Sequence, residues 1–262
     1  MRRIPCLAVL ALLAGMPAIA QQAEPVEAQP TLSVPAESGW RYTVAPYVFA
    51  TGFSGRVNTF GAGPTADVDQ GFGDLVDDLR FAAMIAGAAQ NGRWGVSGDL
   101  QYYNLAPSFD TPGPLFNGGK LTAKQLIVSL TGEYVLSEGD RGALIGMAGA
   151  RYWSVDTTLD FDGAGAPGLS VDGSDSWLDP VIGLRGRYDL SDRWFVTGWA
   201  QAGGFGAGSD SMGDVFGAFG YRFSDRTSGV VGYRWLSVDR ETDDFLYDIT
   251  MDGIMAGVSF GF

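Results

Sequence analysis

The 262-residue chain contains no histidine, and its single cysteine, Cys6, lies near the N-terminus. Without histidine there is no imidazole to move protons near neutrality and no histidine-ligated metal centre. One cysteine cannot build an internal disulfide framework. Positive charge is also scarce, with 17 basic residues against 30 acidic and a formal net charge of −13. That balance argues against a nucleic-acid partner, which needs a basic footprint. No segment reaches the roughly 18 uncharged apolar residues of a membrane helix. Helical membrane crossing is excluded; crossing by strands is not.

The first 20 residues read as an export signal. Arg2 and Arg3 precede an apolar stretch from Leu7 to Leu13, and Ala18-Ile19-Ala20 offers a small-residue cleavage pattern. Cleavage after Ala20 leaves 242 residues without Cys or His, carrying 15 basic and 30 acidic groups, net −15. Residues 21–39 hold three prolines and three glutamates and read as a disordered periplasmic lead-in. From Trp40 to Phe262 the composition is uniform, so residues 40–262 are expected to form one domain.

One phrase occurs three times: Tyr134, Ser137, Glu138, Arg141; Tyr188, Ser191, Asp192, Arg193; Tyr221, Ser224, Asp225, Arg226. Each copy separates two runs of alternating apolar and small or polar residues. An aromatic, a tight polar turn and a return run make the short end of a β-hairpin. Ten alternating runs can be counted, near 40–51, 79–90, 93–105, 120–136, 141–158, 170–190, 193–205, 212–223, 228–238 and 248–262. Trp94, Val96, Leu100 and Tyr102 oppose Ser97, Asp99, Gln101 and Tyr103; Leu178, Ile182, Leu184 and Tyr188 oppose Asp179, Arg185 and Arg187. Val215, Phe219, Tyr221 and Phe223 oppose Asp214 and Arg222, and Ile254, Ala256, Val258, Phe260 and Phe262 share one side. The second, fifth and seventh runs are too rich in Ala and Gly to reveal their faces.

The connections fall into two kinds. Those at Asn91-Gly92, 137–140, 191–192 and 224–225 are short; those near 52–78, 106–119, 159–169, 206–211 and 239–247 are longer. Short turns on one rim and long loops on the other describe a closed antiparallel transmembrane β-barrel, all-β, of about ten strands, with the short rim periplasmic. An aromatic girdle of Trp40, Trp94, Tyr134, Tyr188, Trp194, Tyr221, Phe223 and Phe262 marks that rim. Pro46 fits poorly, because it cannot donate within a ladder and a barrel has no edge to hide it. A bulge there, or a strand starting after it, is expected. In the longest loop, Arg56–Phe60 and Ala66–Gln70 suggest a hairpin extension. Asp74–Leu79 reads as a helical turn or a loop, with Leu75, Val76 and Leu79 packing across the mouth if helical.

Phe262, with Val258 and Phe260 spaced by two before it, resembles the C-terminal assembly signal of Gram-negative outer-membrane barrels. By that resemblance the barrel-assembly machinery is a partner during insertion. The stretches Phe72–Leu79, Trp177–Ser209 and Gly220–Arg226 resemble a family of small, porin-like outer-membrane barrels, a likeness that implies fold and cell-outer-membrane address but no activity. Outer-membrane enzyme families generally place a histidine in the working site, so no enzyme and no cofactor are expected. The partners expected are outer-membrane lipid and, transiently, the assembly machinery, around a monomer.

The candidate functional surface is the lumen, because Arg at mid-depth on the lipid face costs about 2–4 kcal/mol. Alternation sends Asp99, Glu133, Arg151, Asp179, Arg185, Arg187, Asp214, Arg222 and Arg234 inward. Two readings compete: arginines that attract small anions in a narrow channel, or ion pairs that close the lumen. A soluble periplasmic barrel holding an apolar ligand is the rival of both. Asp160, Asp162, Asp172 and Asp175 flank a Gly-rich tip and could hold calcium, though the spacing is not that of an EF-hand. The glycines at 203, 204, 206 and 208 lack the Lys-Ser/Thr of a phosphate loop and read as close packing or a bulge.

Overall fold

The computed structural model describes residues 39–58, 65–73, 78–106, 108–109, 116–163 and 167–262. The export signal and nearly all of the lead-in lie outside the described residues. Twelve strands form one antiparallel sheet: β1 (Arg41–Asn58), β2 (Ala66–Gln70), β3 (Leu79–Asn91), β4 (Trp94–Leu105), β5 (Ser108–Phe109), β6 (Phe116–Gly139), β7 (Gly142–Gly163), β8 (Leu169–Asp189), β9 (Trp194–Gly203), β10 (Ser211–Arg222), β11 (Thr227–Thr242) and β12 (Phe245–Gly261). Ten of them run around in sequence order and close through β12 on β1, while β2 and β5 add to the wall on β1 and β6. Closure lets neighbouring strands satisfy most of the wall's backbone, a requirement where lipid offers no hydrogen bonds.

The period-two pattern sorts the side chains. Val48, Leu130, Leu178, Ile182, Phe219, Val231 and Ile254 stand more than half exposed on the outer wall. A soluble barrel would turn such residues inward, so this wall is suited to lipid. The runs rich in Ala and Gly are settled by their partners: Trp153 and Val155 on β7 and Phe195 on β9 are buried inside, and the partly buried Met84 of β3 packs on the core.

At the short rim two of the three serines of the repeated phrase cap their own turns, while Ser137 stays within β6. Ser191 Oγ accepts from the N–H of Arg193 and Trp194, and Ser224 Oγ from those of Arg226 and Thr227. The arginine of one turn then rides on the tyrosine of the next hairpin. Arg93 lies 4.9 Å over Tyr134, Arg141 lies 6.0 Å over Tyr188, and Arg193 donates to the Tyr221 hydroxyl at 2.9 Å. Trp94 and Trp194 pack on Tyr134 and Tyr221. Trp40, Phe223 and Phe262 are exposed on the same rim, and Phe262 exchanges both backbone hydrogen bonds with Tyr42. Val258 and Phe260 face outward above it.

Three expectations need correction. The connections near 159–169 and 239–247 are largely strand: β7 runs to Gly163, β8 starts at Leu169, and only Asp243 and Asp244 separate β11 from β12. Their acids suggested loop, but cross-strand bonds hold them in the ladder, as in Ser170 to Asp160 at 2.6 Å and Thr158 to Asp172 at 2.8 Å. Asp175 pairs with Arg240, and no cluster of three potential metal-ligating side chains occurs among the described residues. In the longest loop β2 does pair with β1, at Phe53–Val57. Phe72, Gly73 and Asp78 are helical, residues 74–77 lie outside the described residues, and Leu79 opens β3 with its side chain exposed rather than packed across the mouth.

Pro46 lies within β1, neither at a bulge nor before the strand. Tyr42 and Phe262 bond in both directions, so even-numbered residues of β1 point their backbone at β12. By that alternation Pro46 should bond Val258, and the β1–β12 ladder skips Ala45 and Pro46 while keeping register on either side. The missing N–H leaves a gap without shifting the strand. Pro46→Ala should restore one rung, worth about 1 kcal/mol. Urea unfolding in detergent and slower amide exchange at residues 256–260 would register it.

Candidate functional site

The lumen is built in layers. The lower one centres on Asp214 of β10, which is fully buried. Its carboxylate accepts from Arg151 Nη2 at 2.8 Å, from Arg234 Nε at 3.0 Å and Nη2 at 2.7 Å, and from Trp199 Nε1 at 2.9 Å. Arg151 also donates to Ser129 Oγ and Gln201 Oε1, tying β6, β7, β9, β10 and β11 together across the lumen. The Arg234 guanidinium sits 5.4 Å from both the Phe49 and Trp199 ring centroids. Two guanidiniums on one carboxylate, with aromatic faces beside them, offset desolvation well enough to hold charge inside the barrel.

Around this centre the remaining charges form separate groups. Glu133 accepts from Arg185 at 2.7 Å and from Ser97 Oγ at 2.6 Å. Asp99 accepts from the Tyr47 hydroxyl and Gln101 Nε2, both at 2.7 Å. At the short-turn mouth Arg187 and Arg222 share Asp189, at 3.2 and 3.1 Å, and Arg187 stacks 3.6 Å from the Phe195 ring centroid. Asp179, at the other end, accepts from the backbone N–H and hydroxyl of Ser209. Positive φ at Gly204, Phe205 and Gly206 turns the chain back there, and Gly208 is needed because a Cβ would meet Leu178 O at 2.5 Å.

A cavity of about 180 Å³ remains among the charged groups, where Ala86 and Gly98 face Arg151, Arg185 and Arg234. Above it the lumen turns apolar. Trp153 and Trp177 stack with centroids 5.8 Å apart, and Phe245 and Tyr247 meet Trp177 edge-on. Ile127, Leu236, Val238, Ile249 and Met251 complete the layer, and Trp153, Leu236 and Met251 have 0% exposure. Arg240 roofs it, 5.0 Å over Trp177 and bound to Asp175 at 2.6 Å. The nine inward charges therefore occupy five groups rather than one ring. Sequence reasoning missed Asp189, Trp199 and the whole apolar layer. Only the alternation of Phe245, Tyr247, Ile249 and Met251 could have signalled the last.

No protein-family model matches the chain, and no curated protein matches it. Among solved structures it is similar to the outer membrane protease OmpT from Escherichia coli, with a TM-score of 0.52 at 13% identity over 86% of this chain and 98% of that one. It is also similar to the translocator domain of the autotransporter NalP from Neisseria meningitidis, with a TM-score of 0.49 at 13% identity, covering 85% and 88%. Likeness at that identity carries fold alone. The chain has the outer-membrane β-barrel fold.

Asp214→Ala should cost about 3–5 kcal/mol, because it strands two buried guanidiniums. Asp189→Ala, at the partly exposed mouth, should cost about 1 kcal/mol or less. Urea unfolding of the detergent-refolded barrel measures both. At the outer rim, burial holds the Asp239 carboxyl above its usual range, with Asp248, Asp210 and Glu241 adding to the effect. The ionised form is the costly one, so stability is gained as pH falls through the raised pKa. Asp239→Asn should therefore slow amide exchange at the β11–β12 tip at pH 7, a difference that fades near about pH 4.

Proposed function

We propose that this chain is an integral protein of the cell outer membrane whose barrel is closed by its own side chains and serves the envelope structurally. The observation that carries this reading is the apolar layer at Trp153 and Trp177, which leaves those rings buried from both ends of the lumen. A solute channel needs a continuous wet path, and the cavity of about 180 Å³ among Arg151, Arg185 and Arg234 lies beneath that layer. The absence of histidine from the chain and the mutual pairing of the lumen charges support a non-enzymatic role. The outward Val258, Phe260 and Phe262 support recognition by the assembly machinery, and the outward apolar band supports lipid as the standing partner of a monomer.

Planar-bilayer recording on the purified protein tests the reading. The native barrel should show no resolved single-channel steps, while Trp153→Ala combined with Trp177→Ala should open a conducting path. Clear native channels whose ion selectivity shifts with Arg185→Ala and Arg187→Ala would instead establish a narrow anion-attracting channel.

A further inference from the structure

One join in the ring of strands is incomplete. β1 pairs with β3 from Arg41↔Gln90 to Pro46↔Ile85 and no further among the described residues. That register, continued, would set Tyr47–Gly52 against Leu79–Met84. Over those stretches β1 keeps β12 and β3 keeps β4, so each strand is laddered on its far side only. The wall has a seam.

The seam is closed by a side chain. The Phe49 N–H, which a ladder would direct to a β3 carbonyl, donates to Met84 Sδ at 3.2 Å. A thioether is a weak acceptor, and it sits where lipid cannot supply a better one. At the upper end β3 breaks register between Leu79 and Phe81, leaving Arg80 as the extra residue. There the chain from Gln70 to Phe72 crosses β1, so closely that a Cβ on Gly52 would lie 3.0 Å from Gln70 O. Beside the crossing, Ala50, Gly52, Phe72 and Ile254 line an outward hollow of about 570 Å³.

Both sides of the seam are apolar. Val48, Phe81 and Ile85 are exposed on the outer wall, while Phe49, Phe53 and Met84 face the core within, Phe53 meeting Tyr103 edge-on at 6.0 Å. Five residues above Arg41, at the usual rise and tilt, the seam begins about 13 Å above the periplasmic rim, within the hydrocarbon band of about 25 Å. A gap spanned by one methionine is too narrow for an added strand, which needs about 9.5 Å between its neighbours. It suits an unbranched chain of methylenes.

We propose that the β1–β3 seam is a lateral binding site for a linear acyl or alkyl chain drawn from the surrounding membrane. The chain displaces Met84 and lies against Phe49, Phe53 and Tyr103, with Arg80 at the bulge near its polar end. The inference rests on the outer-membrane reading above, and the experiment separates the two. The native protein and Met84→Ala are reconstituted in vesicles of phosphatidylcholine bearing a diazirine at the end of one acyl chain. They are irradiated and mapped by peptide mass spectrometry, with heat-modifiable gel migration reporting the fold. The expected result is labelling of the inward residues Phe49, Phe53 and Tyr103 in addition to the outer wall, rising several-fold in Met84→Ala. Labels confined to outward residues such as Val48, Phe81 and Phe219 in the native protein would overturn the seam while leaving membrane residence intact, whatever the variant does. Inward labels spread equally to Phe195, far from the seam, would also overturn it. An unlabelled outer wall would defeat both readings.

Discussion

Closure of the backbone ladder is the constraint from which the rest of this molecule follows. A strand edge in hydrocarbon leaves donors and acceptors that lipid cannot satisfy. The pairing of β12 with β1 joins the ends of the sheet and forces the period-two division between an apolar outside and an enclosed inside. Charge then has one place to go within the membrane. Inside, it must be paired, because the lumen is too narrow to hydrate every group. Asp214 shared by Arg151 and Arg234 is the outcome.

The two lumen layers divide the work of closing the barrel. Ion pairs are directional and bridge strands far apart in sequence, fixing which strands face each other across the axis. Aromatic and aliphatic packing is not directional, but it excludes water over a larger area. The network below and the stack above therefore oppose different failures, the first a slip between opposing walls and the second a leak along the axis. The Arg240–Asp175 pair joins the upper edges of β8 and β11, where the short β9 and β10 leave the wall low.

Much of this was legible in the residues, because parity is a local property. Ten runs, the faces of those not dominated by Ala and Gly, and the short turns follow from alternation and from Ser-acid-Arg turn chemistry, which need no knowledge of distant contacts. The acids at residues 160, 162, 239 and 241 misled because Asp and Glu disfavour strands in isolation, while cross-strand pairing overrides that preference. Pro46 was legible as an anomaly but not in its resolution, since only the pairing direction tells which neighbour loses a bond. In the lumen, inward placement of Arg and Asp could be read, but not which acid meets which base. Arg187 and Arg222 meet at Asp189, which stands at a strand end where alternation stops being informative.

The heights of β6, β7 and β8 have a consequence outside the membrane. With 24, 22 and 21 residues, they rise roughly 55–60 Å at the usual tilt, more than twice the lipid-facing band. What projects into the medium on that flank is woven sheet rather than slack loop. Its conformational freedom is surrendered when the barrel folds, so a molecule arriving from outside meets a rigid parapet whose contours are already set.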